Sequence, residues 1–401
     1  MATSRTVFVA GAGIGGLTAA LALAAKRFRV VILEKAERLE EAGAGLQLSP
    51  NASRVLIGLG LQSRLERSAV TPDAVSLVRA RSGKEITRLP LGDAAMFRFG
   101  APYWVMHRAD LQAALYEAAN QHPDIELRLG CQFEDAGLHA KGVTVVQRRG
   151  MERQEDVALA LIGADGIWSS VRQHLFPEAP KAQFSGLIAW RGTMDATEVP
   201  RDFSAGRVQL WMGPDAHLVV YPISGGRRIN VVAVLPGTWN RPGWSAPGES
   251  SEIKNVFASR RWSPGARMLL GAVDEWKKWA LFTMPDDIEW SQGGATLLGD
   301  AAHAMLPFAA QGAAMAIEDA AVLAECLGDL PDPNGASVAE ALKRYAGIRY
   351  ARVARLQAMA RQQGRIYHLG GPAAVMRDLI IRTLGPRRLM ERQDWIYDWR
   401  L

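Results

Sequence analysis

At 401 residues and 48% apolar content, the chain exceeds what one hydrophobic core usually organises, so two domains, consecutive or interleaved, are expected. The net charge of +6 is modest, and its basic excess at 344–365 and 377–388 is mixed with apolar residues at helical spacing, which marks solvated faces of amphipathic helices rather than a nucleic-acid surface. Two cysteines, Cys131 and Cys326, without CxxC spacing or nearby histidines argue against a disulfide framework or a zinc site, and no 18-residue apolar run free of charge predicts a membrane span.

The N-terminus runs straight into a strand without a basic segment, an apolar stretch and a cleavage site, so no signal peptide is expected and a reducing cytoplasm fits. Residues 6-TVFVA-10 form a short apolar, β-branched run. Gly11-Ala12-Gly13-Ile14-Gly15-Gly16 follows, then the Ala/Leu-rich helix 17–27 and a second strand, 29-RVVILEK-35. Strand, turn, helix, strand is the setting in which a GxGxxG match carries weight. Gly11 permits a tight turn, Gly13 lets backbone N–H groups approach a diphosphate, and Gly16 lets helix and strand pack closely. The helix N-terminus adds free donors and a positive dipole end. Glu34 lies at the end of the second strand, where a carboxylate accepts ribose hydroxyls and disfavours a 2′-phosphate. This fingerprint predicts a dinucleotide but does not separate FAD from NAD.

A nicotinamide dehydrogenase would continue in quick alternation of strand and helix, whereas 75–100 and 184–290 read as β-rich and irregular. The chain instead leaves the sheet and returns twice. The first return is the apolar strand in 157-VALALIGADGIWSSVR-172, ending at Asp165. The second, 294-GATLLGDAAHAMLPFAAQGAAMAIEDAAVLAECL-327, has a strand with an acid at its end, a Pro-containing turn and a small-residue helix from about Gln311. Asp300 can accept hydrogen bonds from a polyol chain, and N–H groups around Gly312 can support negative charge on a flavin ring.

In this order and at these distances, GAGIGG with Glu34, GADGIWSSVR and GDAAHAMLPFAAQGAAMAIEDA resemble the three motifs of the class A flavoprotein aromatic hydroxylases. Within that family the chain is most similar to the branch of salicylate hydroxylase, 3-hydroxybenzoate 6-hydroxylase and 6-hydroxynicotinate 3-monooxygenase, through 43–61, 107–115, 186-GLIAWRG-192, 217-HLVVYPI-223 and 367-YHLGGPAAVMRDL-379. The resemblance implies one FAD held by Gly11, Gly13, Gly16 and Glu34, with Arg108 near the diphosphate, Asp300 on the ribityl or ribose side, and Gly312 and Ala313 under the flavin ring. Asp165 belongs to the motif that serves FAD and is linked to NAD(P)H use. NADH (or NADPH) is expected to bind transiently across a groove, since no second nucleotide fold is present. The implied reaction is hydroxylation of a small aromatic hydroxy acid with O₂ through a flavin C4a-hydroperoxide, by a cytoplasmic monomer or homodimer.

Such a reaction needs a base, because a phenol with a pKa of about 10 becomes a strong carbon nucleophile only once deprotonated. The strand 215-DAHLVVYPI-223 puts His217, Val219 and Tyr221 on one face. His217 is the expected base and Tyr221 a second pocket group; the competing readings are a satisfied sheet histidine and a packing aromatic. Pro307 is expected near flavin and substrate, offering shape and a carbonyl dipole. His303 reads as a turn stabiliser or as a residue behind the flavin rather than a catalytic group. Gln47, where one branch member carries His, is assigned to the substrate pocket, as is Trp190, for which core packing is the slightly favoured competing reading.

The expected architecture is α/β: a Rossmann-like FAD-binding domain assembled from 1–70, 100–182 and 285–330, an interleaved β-rich substrate domain from 71–99 and 183–284, and C-terminal helices over 337–401. The stretch 328–337 reads as a linker and 236–250 as a long loop. Alternative activities are an FAD monooxygenase of a larger substrate (a quinone precursor, polyketide or drug) and a non-oxygenating FAD reductase or sensor.

Overall fold

The glycine turn and its two flanking strands form the middle of a six-stranded sheet ordered Ser291–Gln292, Ala295–Leu297, Ala160–Gly163, Thr6–Ala10, Arg29–Glu34, Ile125–Leu129. All neighbours run parallel except the first, short pair. The computed structural model describes residues 5–39, 44–200, 203, 206–259, 261–331 and 333–401. The central strands read as continuous apolar runs because both faces are covered. Val7, Val9, Val30 and Ile32 pack under the helices Ile14–Ala25, Arg108–Asn120 and Gly312–Gly328. Phe8, Val31, Leu33 and Leu161 pack against a three-stranded antiparallel sheet through Phe133, Val143 and Val145.

The apolar run 157–163, expected as one strand, divides. Val157 and Ala158 end the strand Glu152–Ala158 of the three-stranded sheet, while Ala160–Gly163 joins the parallel sheet. The chain changes sheets at Leu159, whose N–H donates to the Thr6 carbonyl at 2.8 Å. Because Ala158 to Gly163 are buried throughout, hydropathy carries no mark of the switch.

The second layer is an eight-stranded sheet, ordered Ser245–Gly248, Trp276–Thr283, Gln183–Asp195, Arg228–Pro236, Ala216–Ile223, Arg207–Gly213, Ala74–Arg79, Glu85–Pro90. It is antiparallel except where Arg207–Gly213 meets Ala74–Arg79. One face, including Ile188, Trp190, Leu218, Val220, Val231 and Ala233, packs on the helices Ser250–Phe257 and Pro264–Ala272. The opposite face looks toward the parallel sheet. Ser245–Gly248 lies within the stretch read as a loop, yet it pairs with Trp276–Thr283 as an edge strand, the one position where Pro247 is tolerated.

Asn334 ends the expected linker as a helix cap: its Oδ1 accepts the N–H groups of Ala336 and Ser337, and Ser337 Oγ accepts the Asn334 N–H. The helix it starts, Gly335–Tyr367, runs along Gly312–Gly328, and Gly371–Glu391 then crosses the edge strand Glu85–Pro90. No helix among the described residues is long and apolar enough to cross a membrane.

Candidate active site

Two connected hollows lie where the sheets meet. The first, about 250 Å³, is lined by Gly11, Gly13, Glu34, Lys35, Asp165, Gly166 and Trp168, among others. Gly11 has φ of +103°, and its N–H donates to the Leu33 carbonyl at 2.7 Å, which turns the chain from strand to helix. A Cβ on Gly16 would sit 2.0 Å from the Gly11 carbonyl oxygen, so only glycine allows this approach. Beyond Gly13 there is open space, and no side chain caps the helix Ile14–Ala25. Glu34 accepts the N–H groups of Ala12 and Ala36, both at 2.9 Å. Asp165 accepts from the N–H groups of Ser170 and Val171 through Oδ2, while its buried Oδ1 has no partner. Burial raises its pKa against those hydrogen bonds.

The second hollow, about 300 Å³, shares Gly13, Ala164 and Gly166 with the first. One wall carries Arg108, Leu298, Asp300, Pro307, Gly312 and Ala313. The facing wall is sheet: Arg191, His217, Val219, Tyr221, Val232 and Val234. Period two decides that wall, since His217, Val219 and Tyr221 alternate with Leu218 and Val220, which belong to the packed core behind. The helix Gly312–Gly328 opens onto the hollow with no side-chain cap, and a Cβ on Gly312 would meet nothing within 4 Å.

His217 is buried, with Nδ1 2.8 Å from His368 Nε2 and the rings of Phe308 and Tyr367 at 5.3 and 5.5 Å. Burial, with His368 beside it, holds its pKa well below the ordinary 6.5. Burial likewise raises the Tyr221 phenol, which stays protonated. Gln47 lines the hollow and accepts the Tyr103 hydroxyl at 2.6 Å. His303 instead turns into the helix layer, where its Nε2 lies 2.6 Å from Asp319 Oδ2.

A family model described as "FAD binding domain" matches residues 4–360. The chain is 34% identical to 3-hydroxybenzoate 6-hydroxylase of Klebsiella oxytoca over all of this chain and 98% of that one. It is 36% identical to 3-amino-4-hydroxybenzoate 2-monooxygenase of Streptomyces platensis, covering 98% and 95%. The chain belongs to the class A flavoprotein aromatic hydroxylases. A solved salicylate hydroxylase substrate complex superposes with a TM-score of 0.83 at 25% identity, covering 99% of this chain and 96% of that one.

FAD is the cofactor of this hydroxylase family, and the described residues fit it. Free N–H groups and open space at Gly13 suit a diphosphate, the two hollows form one elongated slot, and the uncapped helix at Gly312 suits an electron-rich ring.

Two hydroxylase residues differ from expectation. Trp190, assigned to the substrate pocket, does not line it: its indole lies in the core behind the sheet, 6.3 Å from Trp276 and under Lys278. The next residue, Arg191, faces the hollow instead, because successive side chains on a strand point to opposite faces. Its guanidinium lies 5.8 Å from the Trp279 ring centroid, its Nε is buried without a partner, and it pairs with no carboxylate among the described residues. Desolvation lowers its pKa, which leaves it a cation in want of an anion. The alternation in 186–192 carried this signal. His368, 151 residues from His217, left none in local pattern.

Proposed function

We propose that this flavoprotein hydroxylates a hydroxybenzoate, consuming NADH (or NADPH) and O₂, as a cytoplasmic monomer or homodimer. The observation that supports the substrate class is the pairing of one unpartnered cation and one neutral base on the same sheet face. Arg191 is registered with Val232, Val232 with Val219, and His217 stands two residues from Val219. At strand spacings of about 4.8 Å and about 3.4 Å per residue, their Cα atoms are roughly 12 Å apart. Two side chains reaching inward leave room for one ring with a carboxylate at one end and a hydroxyl at the other. The hollow must hold the flavin edge as well, so a single-ring substrate fits better than a larger one.

Arg191 would bind the carboxylate and fix the ring's direction. His217 Nε2 would take the phenol proton, which its neutral state allows, and Tyr221 would donate to the substrate oxygen. Val219, Val232 and Val234 would form the apolar floor that excludes water. Gly11, Gly13, Gly16, Glu34, Arg108, Asp165 and Asp300 would hold the dinucleotide, and Gly312 and Ala313 N–H groups would face the flavin. Pro307 and Gln47 would shape the substrate's edge. Bound FAD supplies the reduction of O₂ and an electrophilic oxygen.

The test is NADH and O₂ consumption by the purified yellow protein over a panel of hydroxybenzoates, with mass analysis of products. Stimulated consumption with a product heavier by one oxygen is expected. Silence across the panel together with turnover of a multi-ring phenol would overturn the reading. Arg191→Met should weaken hydroxybenzoate binding by about 3 kcal/mol, roughly a hundredfold in Kd, while a phenol lacking the carboxylate binds equally to both forms.

A further inference from the structure

We propose that His368 is the positioning and proton-exit partner of His217: it fixes the Nδ1–H tautomer of His217 and conducts the substrate's phenolic proton out of the hollow. The inference rests on the hydroxybenzoate reading for the origin of the proton, but its geometry is independent of substrate.

His217 is buried and has one nitrogen, Nδ1, committed to His368 Nε2 at 2.8 Å. Only Nε2 remains for the hollow that His217 lines. If His368 donated to Nδ1, His217 would carry its own proton on Nε2 and could not act as a base there. If His217 donates, Nε2 presents a lone pair. Proton acceptance from the phenol then forms an N–H bond at Nε2, the Nδ1–H proton passes to His368 Nε2, and His368 releases the proton on its Nδ1. The charges balance, since one proton enters and one leaves. Return of a proton to the product oxygen along the same rings restores both tautomers.

His368 is placed to connect inside with outside. It caps the C-terminus of Gly335–Tyr367 and is only partly buried, and its carbonyl accepts the Asp215 N–H at 3.1 Å. The tight turn Gly213-Pro214-Asp215 clamps the segment: a Cβ on Gly370 would lie 3.2 Å from Pro214. Other titratable or charged groups around the pair are few. Tyr221 is on the His217 strand, Tyr367 stacks edge-on against His217 and Arg191 lies across the sheet; burial lowers the His368 pKa, and the exposed Asp215 carboxylate, itself 3.5 Å from Arg261, acts against that shift. Arg377 is engaged with Asp378 and with the carbonyls of Ile366 and Tyr367. The buried Asp378 carboxylate is held by Arg377 and Arg79, so the path leads outward to the Asp215 surface. The helix C-terminus adds a favourable dipole for a transient imidazolium there.

Two measurements decide the matter. Nitrogen NMR of the substrate-free FAD holoenzyme labelled at histidine should show His217 as the Nδ1–H tautomer; an Nε2–H tautomer overturns the proposal whatever the substrate. Stopped-flow mixing with 3-hydroxybenzoate in weak buffer with a pH indicator should show proton release as the phenolate absorbance appears. His368→Gln keeps a carbonyl that accepts from Nδ1–H but cannot pass a proton, so its proton release should slow at least tenfold with Kd unchanged. His368→Phe should lose the tautomer as well, and with it the phenolate signal. Equal release rates in wild type and His368→Gln would overturn the relay. Absence of any phenolate signal in wild type across the hydroxybenzoate panel would refute the substrate reading, while the NMR tautomer still decides the histidine pair.

Discussion

His217 shows how one residue's chemistry is set by what encloses it. An exposed imidazole would be largely protonated below 6.5, but burial and the adjacent His368 keep this one neutral well into acid. The acid limb of kcat/KM, which reports the free enzyme, should therefore lie below pH 6.5. The same shift bears on stability. Below 6.5 the unfolded chain takes up a proton that the folded chain resists, so stability should fall as pH drops through that value and be unaffected above it, as thermal unfolding across pH would show. His217→Asn should lower kcat by roughly 10²- to 10⁴-fold at neutral pH. The loss should shrink toward pH 10, where a phenol of pKa about 10 ionises unaided. A loss that stayed constant with pH would argue against the base role.

At the scale of elements, the glycine turn separates two demands that sequence alone merges. A methyl on Gly16 collides with the Gly11 carbonyl, so Gly16→Ala should disturb the fold of strand, turn and helix itself. A methyl on Gly13 meets nothing in the protein, and Gly13 has an ordinary φ of −72°. Gly13→Ala should thus retain the circular dichroism and unfolding behaviour of the wild type yet lose most of its FAD, read as the ratio of flavin to protein absorbance. Retained yellow colour would show that the diphosphate does not approach this point. Strand alternation was equally legible for Ala216–Ile223, where His217, Val219 and Tyr221 share the hollow. In Gln183–Asp195 the same alternation turns Trp190 into the core and its charged neighbour Arg191 into the hollow.

Across the whole molecule, a buried ionic network ties the second glycine-acid turn to the C-terminal helices. Asp319 accepts from the Gly299 N–H and from Arg349 Nε, and lies against His303 Nε2; Glu318 is held by Arg349, Arg352 and Asn51. Burial alone would raise the Asp319 pKa, but His303 and Arg349 outweigh it and hold the carboxyl down at about 2. Its stabilising contribution is complete above the ordinary 3.8 and is lost as pH falls from there toward 2. Asp319→Ala should destabilise the protein by about 3–5 kcal/mol in denaturant unfolding, because it leaves Arg349 Nε and His303 Nε2 without their partner in the core, with Arg349 held by Glu318 through its other nitrogen. A change under 1 kcal/mol would mean that water reaches the network.

The sequence by itself determined the α/β class and the dinucleotide turn, through local backbone chemistry and hydropathy period, and the three separated motifs of one slot, through their order, their spacing and the family they resemble. It could not determine which distant side chains meet. The change of sheet at Leu159, the edge strand at Ser245–Gly248, the approach of His368 to His217 and the unpaired charge of Arg191 all arise from packing one sheet against another. Contacts across 151 residues leave no periodic trace, and a charge's partner, or its lack of one, exists only once the chain has closed around it.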